Sequence, residues 1–156
     1  MTRLLGIDLG ERRVGLALAD RDGSAARPLA TIRRAATLDA DAAALRTIVS
    51  RYEVDELVVG LPLEASGAEG PQSALTRAWA AGAGERLGLP VILRDERLTS
   101  HLAEARLGPM KRGRSGGPPG KTQRDAYRAR VDREAATIIL QDELDARAAA
   151  GSKAQR

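Results

Sequence analysis

The stretch Leu4-Leu5-Gly6-Ile7-Asp8-Leu9-Gly10, followed by Arg12-Arg13-Val14-Gly15-Leu16-Ala17-Leu18-Ala19, reads as a strand, a short turn and a second strand. Side chains alternate faces along a strand. Leu5, Ile7 and Leu9 therefore share one face with Val14, Leu16 and Leu18 of the second run. Gly6, Asp8 and Gly10 share the other with Gly15, Ala17 and Ala19. The first face is bulky and apolar and should be core. The second is nearly bare and carries one carboxylate. An Asp in an apolar strand costs free energy unless something pairs with it. Flanking glycines let a backbone, a phosphate or a metal come close. Asp8 is therefore read as the first ligand of a metal or phosphate site.

Working outward, Asp22-Gly23-Ser24 is a turn, and a third strand is expected at Pro28–Arg33, so three antiparallel strands open the domain. The period then changes. Leu38, Leu45, Ile48, Val49 and Tyr52 mark a helical face with Asp39 or Asp41 near its start. Glu56-Leu57-Val58-Val59-Gly60 is a buried strand, and a helix followed by a strand implies a parallel crossover. The Gly60–Pro71 segment, rich in Gly and Pro, is a shaped loop at the carboxyl end of a strand, where α/β sheets place ligands. Pro71 opens a helix to about Leu87. Gln72 and Ser73 sit at its positive end, where they could meet a phosphate.

Leu89–Arg94 is the fifth expected strand, running into Asp95-Glu96-Arg97-Leu98-Thr99-Ser100. Thr99 or Ser100 caps a helix to Arg106 or Leu107. Asp95 and Glu96 must point to opposite sides if the strand continues, and geometry alone does not choose between them. His101 lies in the first turn of that helix and reads as a bystander. Residues 108–122 hold five glycines, three prolines and four basic groups, the composition of a mobile loop. A last helix is expected from Gln123 to Ala148, with Val131, Ala135, Ile138 and Ile139 on its apolar face. Asp132 borders that stripe, and the small Ala135 and Ala136 would let the helix approach the sheet and bring Asp132 towards Asp8. Residues 1–150 are thus expected to form one domain and 151–156 a disordered tail.

Composition narrows the chemistry. At 156 residues the chain is long enough for a real core. It has no cysteine and one histidine, which excludes disulfides, thiolate catalysis and multi-His zinc sites. A metal must be held by oxygen, which points to Mg²⁺ or Mn²⁺. With no spanning apolar run and no signal-peptide pattern, a cytoplasmic protein without a membrane partner is expected. The net charge is +4, and its distribution says more than its size. Residues 108–130 carry Lys111, Arg112, Arg114, Lys121, Arg124, Arg128 and Arg130 against Asp125 alone, so the rest of the chain is net negative. A focused basic patch fits a polyanionic partner. Tyr52, Trp79 and Tyr127 are the only aromatics, so a nucleic acid would be held through phosphates and shape instead of base stacking.

Three strands, helix, strand, helix, strand, helices is the order of an RNase H-like α/β fold, a five-stranded mixed sheet flanked by helices. A carboxylate on the first strand, a second after a later strand and a third on a C-terminal helix could hold two divalent cations for in-line displacement at a phosphodiester. Without a cation the three would repel strongly.

The blocks Gly6-Ile7-Asp8-Leu9-Gly10, Gly60-Leu61-Pro62-Leu63, Gly67-x-Glu69-Gly70-Pro71, Asp95-Glu96-Arg97-Leu98-Thr99 and Val131-Asp132-x-x-Ala135-Ala136-x-Ile138-Ile139-Leu140-Gln141 resemble the YqgF/RuvX family over nearly the whole chain. The resemblance implies a nuclease with Asp8, Glu96 and Asp132 as catalytic carboxylates, and so favours Glu96 over Asp95. It implies maturation of the 5′ end of precursor 16S ribosomal RNA, or a Holliday-junction resolvase, which would need a dimer to cut two strands. Lys111, Arg112, Arg114, Lys121 and Arg124, with Gln72 and Ser73, are the expected substrate contacts. The Gly/Pro-rich 108–122 loop departs from the compact Lys-rich segment of the family. Two rivals remain. One is a nucleic-acid-binding adaptor with a decayed site. The other is an ATPase, because Gly6–Gly10 also resembles the phosphate strand of actin and Hsp70-like proteins. One small domain cannot form their two-lobed cleft, and either a monomer or a homodimer is compatible with the sequence.

Overall fold

A computed structural model describes residues 2–20, 22–23, 25–97, 99–113 and 116–154. Ser24, Leu98 and Arg114, which carried expectations above, lie outside the described residues, as do 155–156 of the expected tail. Strands β1 (Leu4–Leu9), β2 (Arg13–Ala19) and β3 (Ala26–Arg33) lead into helix α1 (Leu38–Tyr52). Then follow β4 (Glu56–Leu61), α2 (Pro71–Leu87), β5 (Val91–Asp95), α3 (Thr99–Leu107) and α4 (Lys121–Ala154). The sheet order is β3-β2-β1-β4-β5. The β1–β2 and β2–β3 pairs are antiparallel, and β1–β4 and β4–β5 are parallel. This is the mixed five-stranded sheet expected from the sequence.

The bulky face is core. Leu5, Ile7, Leu9, Val14, Leu16, Leu57 and Val59 pack with Leu45 of α1 and Trp79 of α2. A polar anchor sits in this layer. Buried Asp41 accepts hydrogen bonds from Trp79 Nε1 at 3.0 Å and from the Ala35 backbone N–H at 2.7 Å. Thr37 caps α1, its hydroxyl accepting from the Ala40 N–H at 3.2 Å, and Asp39 and Asp41 lie in the first turn as expected. The bare face is not open to a ligand along its length: it is covered by α4. Leu4, Ala17, Ala19 and Val58 meet Ala136, Ile139, Leu140 and Leu144 there. The glycines serve this helix first. A Cβ on Gly6 would lie 2.7 Å from Leu140 Cβ and 2.8 Å from the Ala136 carbonyl. A Cβ on Gly15 would overlap the backbone carbonyl of Asp132.

Four boundaries differ from expectation by two residues or more, and the first is β3, which begins at Ala26 instead of Pro28. Strand β5 begins at Val91, because the Leu89 N–H donates to the Gly84 carbonyl at 3.0 Å and so closes α2. Lys121 and Thr122 belong to the first turn of α4, not to the basic loop. At the other end α4 runs through Ala148 to Ala154, so residues 151–154 are helical and not disordered tail. The alanines at 148–150 have the highest helix propensity and carry the helix on. Among the described residues no helix is long and apolar enough to cross a membrane.

Candidate active site

Asp8 lies in β1 directly opposite Gly15 of β2. Because Gly15 has no side chain, α4 presses against β2 at Asp132, and Asp132 comes within electrostatic reach of Asp8. The other carboxylate arrives from β5. The Glu96 N–H donates to the Leu61 carbonyl at 3.1 Å, which pins the residue to the end of β4. Its side chain lies over Gly60, where a Cβ would stand 2.7 Å from Glu96 Oε2. From there Glu96 hydrogen-bonds to Asp8. Asp95 turns the other way. Its carboxylate accepts from the Arg97 N–H at 2.9 Å and from Arg97 Nε at 2.8 Å. Those bonds hold its carboxyl below the usual range. The choice between Asp95 and Glu96, open to sequence geometry, is made by this turn.

The three carboxylates are not gathered into one cage. Among the described residues no group of three is placed to hold a metal ion. Asp132 pairs with Arg13, Oδ2 accepting from Nε at 2.9 Å. Anions this close need a positive charge or a shared proton, and both solutions are present. Burial pushes the Asp8 carboxyl up to about 6, opposed by the bond from Glu96 and assisted by the charge of Asp132. Burial, with the charge of Asp8 behind it, pushes Glu96 up to about 9. Glu96 is therefore the donor and Asp8 the acceptor at neutral pH. Asp132 is raised by burial and held back by Arg13. The donor set is all oxygen, and the absence of a side chain at Gly60 lets the Glu96 carboxylate lie against the strand and reach Asp8. Asp8 and Glu96, with Asp132 released from Arg13, would suit a hard divalent cation.

A pH dependence follows. Both carboxyls bind protons more tightly in the folded chain than in the unfolded one, where they titrate near 3.8 and 4.5. Their contribution to stability is fully present below those values and is lost as pH rises through about 6 and towards 9. With divalent cations chelated, the melting temperature should fall by about 3–8 °C between pH 5 and pH 9. The fall should be much smaller in Glu96→Gln. An equal fall in that variant would assign it to other groups.

The expected substrate contacts are scattered. Gln72 is exposed at the start of α2. Ser73 is fully buried, and its hydroxyl donates to the Pro62 carbonyl, so it does not face a substrate. It fastens the Gly60–Pro71 loop to α2. Ser73→Ala should cost about 1–2 kcal/mol in chemical denaturation and leave nucleic-acid affinity unchanged. A weakened affinity at unchanged stability would reverse that assignment. Lys111 lies with Arg130 in a concavity between α3 and α4, whereas Lys121 lies on the opposite side of α4. Arg112 and Arg124 are exposed, and Arg124 Nη1 donates to the Pro119 carbonyl at 2.9 Å. His101 is exposed beside Asp95 and Arg97, away from the carboxylate pair. Sequence reasoning missed Arg12, Arg13, Arg33 and Arg34. Their signal was the adjacent pairs Arg12-Arg13 and Arg33-Arg34 at the matched ends of two antiparallel strands.

Residues 2–146 match the model of the family described as RuvX, Holliday junction resolvase. The chain belongs to the RuvX family. A relative from Anaeromyxobacter dehalogenans (strain 2CP-C), named "Putative pre-16S rRNA nuclease", is 46% identical over 146 residues, covering 94% of this chain and 98% of the relative. One of the same name from Moorella thermoacetica is 43% identical over 148 residues, covering 92% and 94%. Among solved structures, Thermus thermophilus RuvC superposes with a TM-score of 0.53 at 16% identity, over 95% of this chain and 97% of that one. The fowlpox virus resolvase, solved with its Holliday junction substrate, gives 0.53 at 12% identity, over 93% and 98%. At such identities the likeness speaks for the fold, which is RNase H-like. This RuvX-family chain is thus a nuclease-family domain spanning the length of its relatives. The ATPase alternative raised by Gly6–Gly10 falls away.

Proposed function

We propose that this RuvX-family protein is a divalent-metal-dependent endonuclease that hydrolyses phosphodiesters, acting in the cytoplasm on the 5′ end of precursor 16S ribosomal RNA. The observation that carries the reading is the hydrogen-bonded Asp8–Glu96 pair, with Asp132 beside it, at the glycine-cleared end of an RNase H-like sheet. Asp8, Glu96 and Asp132 would hold Mg²⁺ or Mn²⁺, most readily as two ions. When bound, such ions supply a water of lowered pKa and charge stabilisation at the leaving oxygen. The chain's own part is positional. β1 fixes Asp8, the end of β4 anchors the Glu96 backbone as the chain leaves β5, and α4 sets Asp132 across from them. Arg13 neutralises Asp132 until a stronger cation competes for it. Lys111, Arg112, Arg114, Lys121 and Arg124 would hold phosphates, and Gln72 remains available at the loop.

The family description favours a second reading, resolution of four-way DNA junctions by a homodimer. One assay separates the readings. Cleavage is measured with Mg²⁺ and with Mn²⁺ on a precursor-rRNA end, a four-way junction and plain single strands, with Asp8→Asn as control. Cutting of the RNA end supports the processing role. Paired symmetric nicks in the junction alone support the resolvase. No Asp8-dependent cleavage on any of them would leave a nucleic-acid-binding adaptor.

A further inference from the structure

One concavity lies away from both the Gly60–Pro71 loop and residues 108–113. It is a groove of about 570 Å³ between the end of the β2–β3 hairpin and the first half of α4. Six cations line it: Arg12, Arg13, Arg33, Arg34, Lys121 and Arg133. Two acids, Glu11 and Asp125, oppose them. The groove is built by the register of the sheet. Arg13 pairs with Arg33 across β2–β3, and the Arg34 N–H continues the ladder to the Arg12 carbonyl at 2.8 Å. The far wall is fastened by Thr31, whose hydroxyl donates to the Ala129 carbonyl at 2.6 Å and accepts from Arg133 Nη1 at 3.3 Å.

The cations divide into two kinds. Arg13 is held by Asp132, and Arg34 by the Gly10 carbonyl at 3.1 Å and by Asp41 at 3.7 Å. These two are pre-oriented. Arg12, Arg33 and Lys121 are exposed and, among the described residues, form no ion pair. Concentrating cations without matching acids disfavours the fold unless a polyanion occupies the site. The groove also leads to the reaction centre. A second concavity shares Arg12 and Arg13 with it and is closed by Arg128 and Asp132.

We propose that this groove is the track for the nucleic-acid backbone on one side of the cut, with Arg12 and Arg33 each contacting a phosphate. The inference rests on the nuclease reading above and adds to it the path of the substrate. The basic 108–130 segment is then only part of the grip. The ligand chemistry is a phosphodiester strand, whether of RNA or DNA.

The test is binding by fluorescence anisotropy in an Asp8→Asn background across a range of salt. The two probes are a labelled RNA hairpin with a 5′ extension and a labelled four-way DNA junction. Removing the cation from one phosphate should lower the slope of log K against log salt by about 1. Arg12→Gln with Arg33→Gln should therefore lower it by about 2 and weaken binding by about 10²-fold at 0.1 M salt. Melting temperature should not fall, and should rise slightly as the repulsion is relieved, since both side chains are exposed. A lowered slope with one probe only names the substrate that uses the groove. An unchanged slope with both probes overturns the proposal. Cleavage by the unmutated chain is scored separately. Asp8-dependent cleavage with an unchanged slope removes the groove alone. A lowered slope without Asp8-dependent cleavage removes the nuclease reading and leaves the groove.

Discussion

Asp8→Asn is expected to abolish cleavage and to raise the melting temperature. The two effects have one origin. Asp8 is an anion placed beside Glu96 and near Asp132 in a partly buried site, so its charge works against folding, while the proposed reaction needs that charge. Asn keeps the shape and can still accept the hydrogen bond from Glu96, but carries no charge. With divalent cations chelated at pH 8, the variant should gain about 1–3 kcal/mol, or several degrees in melting temperature. Cleavage should fall by at least about 10³-fold, because a carboxylate that holds a catalytic cation supplies several kcal/mol of transition-state stabilisation. Millimolar Mn²⁺ should raise the melting temperature of the unmutated chain and shift that of the variant less. Retained cleavage would falsify the assignment of Asp8. A lower melting temperature would mean that Asp8 is a structural group.

Gly15→Val separates the strand from the helix it carries. Any Cβ at this position meets the backbone of Asp132, not a flexible side chain, so the helix itself must move. Overpacking a close contact costs about 1–3 kcal/mol, and here the upper end or beyond is expected because a backbone must give. Cleavage should be lost even where the variant remains folded at low temperature, because Asp132 moves off Asp8 with the helix and away from Arg13 on the strand. Gly151→Ala is the comparison. It lies in the same helix with nothing within 4 Å of its Cβ position, and should gain about 0.5–1 kcal/mol with cleavage intact. Equal destabilisation by the two changes would show that the Gly15 contact does not position α4. A stable Gly15→Val with full activity would remove the close approach from the account of the site.

Much of this was legible in order along the chain. The alternation around Asp8, the change of period at Leu38 and the Gly/Pro punctuation at 60–71 place the strands and helices within a few residues of where they lie. They do so because strand and helix periods are local properties of the backbone. The bare face of β1 and β2 was visible too, as were three well-separated acids. Their sequence positions could not say what covers the face, and the cover is α4, more than a hundred residues away.

Tertiary structure decided three further matters, each a contact between distant segments. Glu96 and not Asp95 meets Asp8, because Arg97 draws Asp95 into the turn. Asp132 is held by Arg13, an ion pair across 119 positions. Ser73 leaves the site for the Pro62 carbonyl. The basic surface divides in the same way. Residues 108–130 are cationic in sequence, but the groove gathers arginines from two strand ends and a helix that no window along the chain contains. Local pattern determined which elements form and which faces are apolar. Long-range pairing determined which charges meet, because electrostatic neighbours are set by distance in space and not by order in the chain.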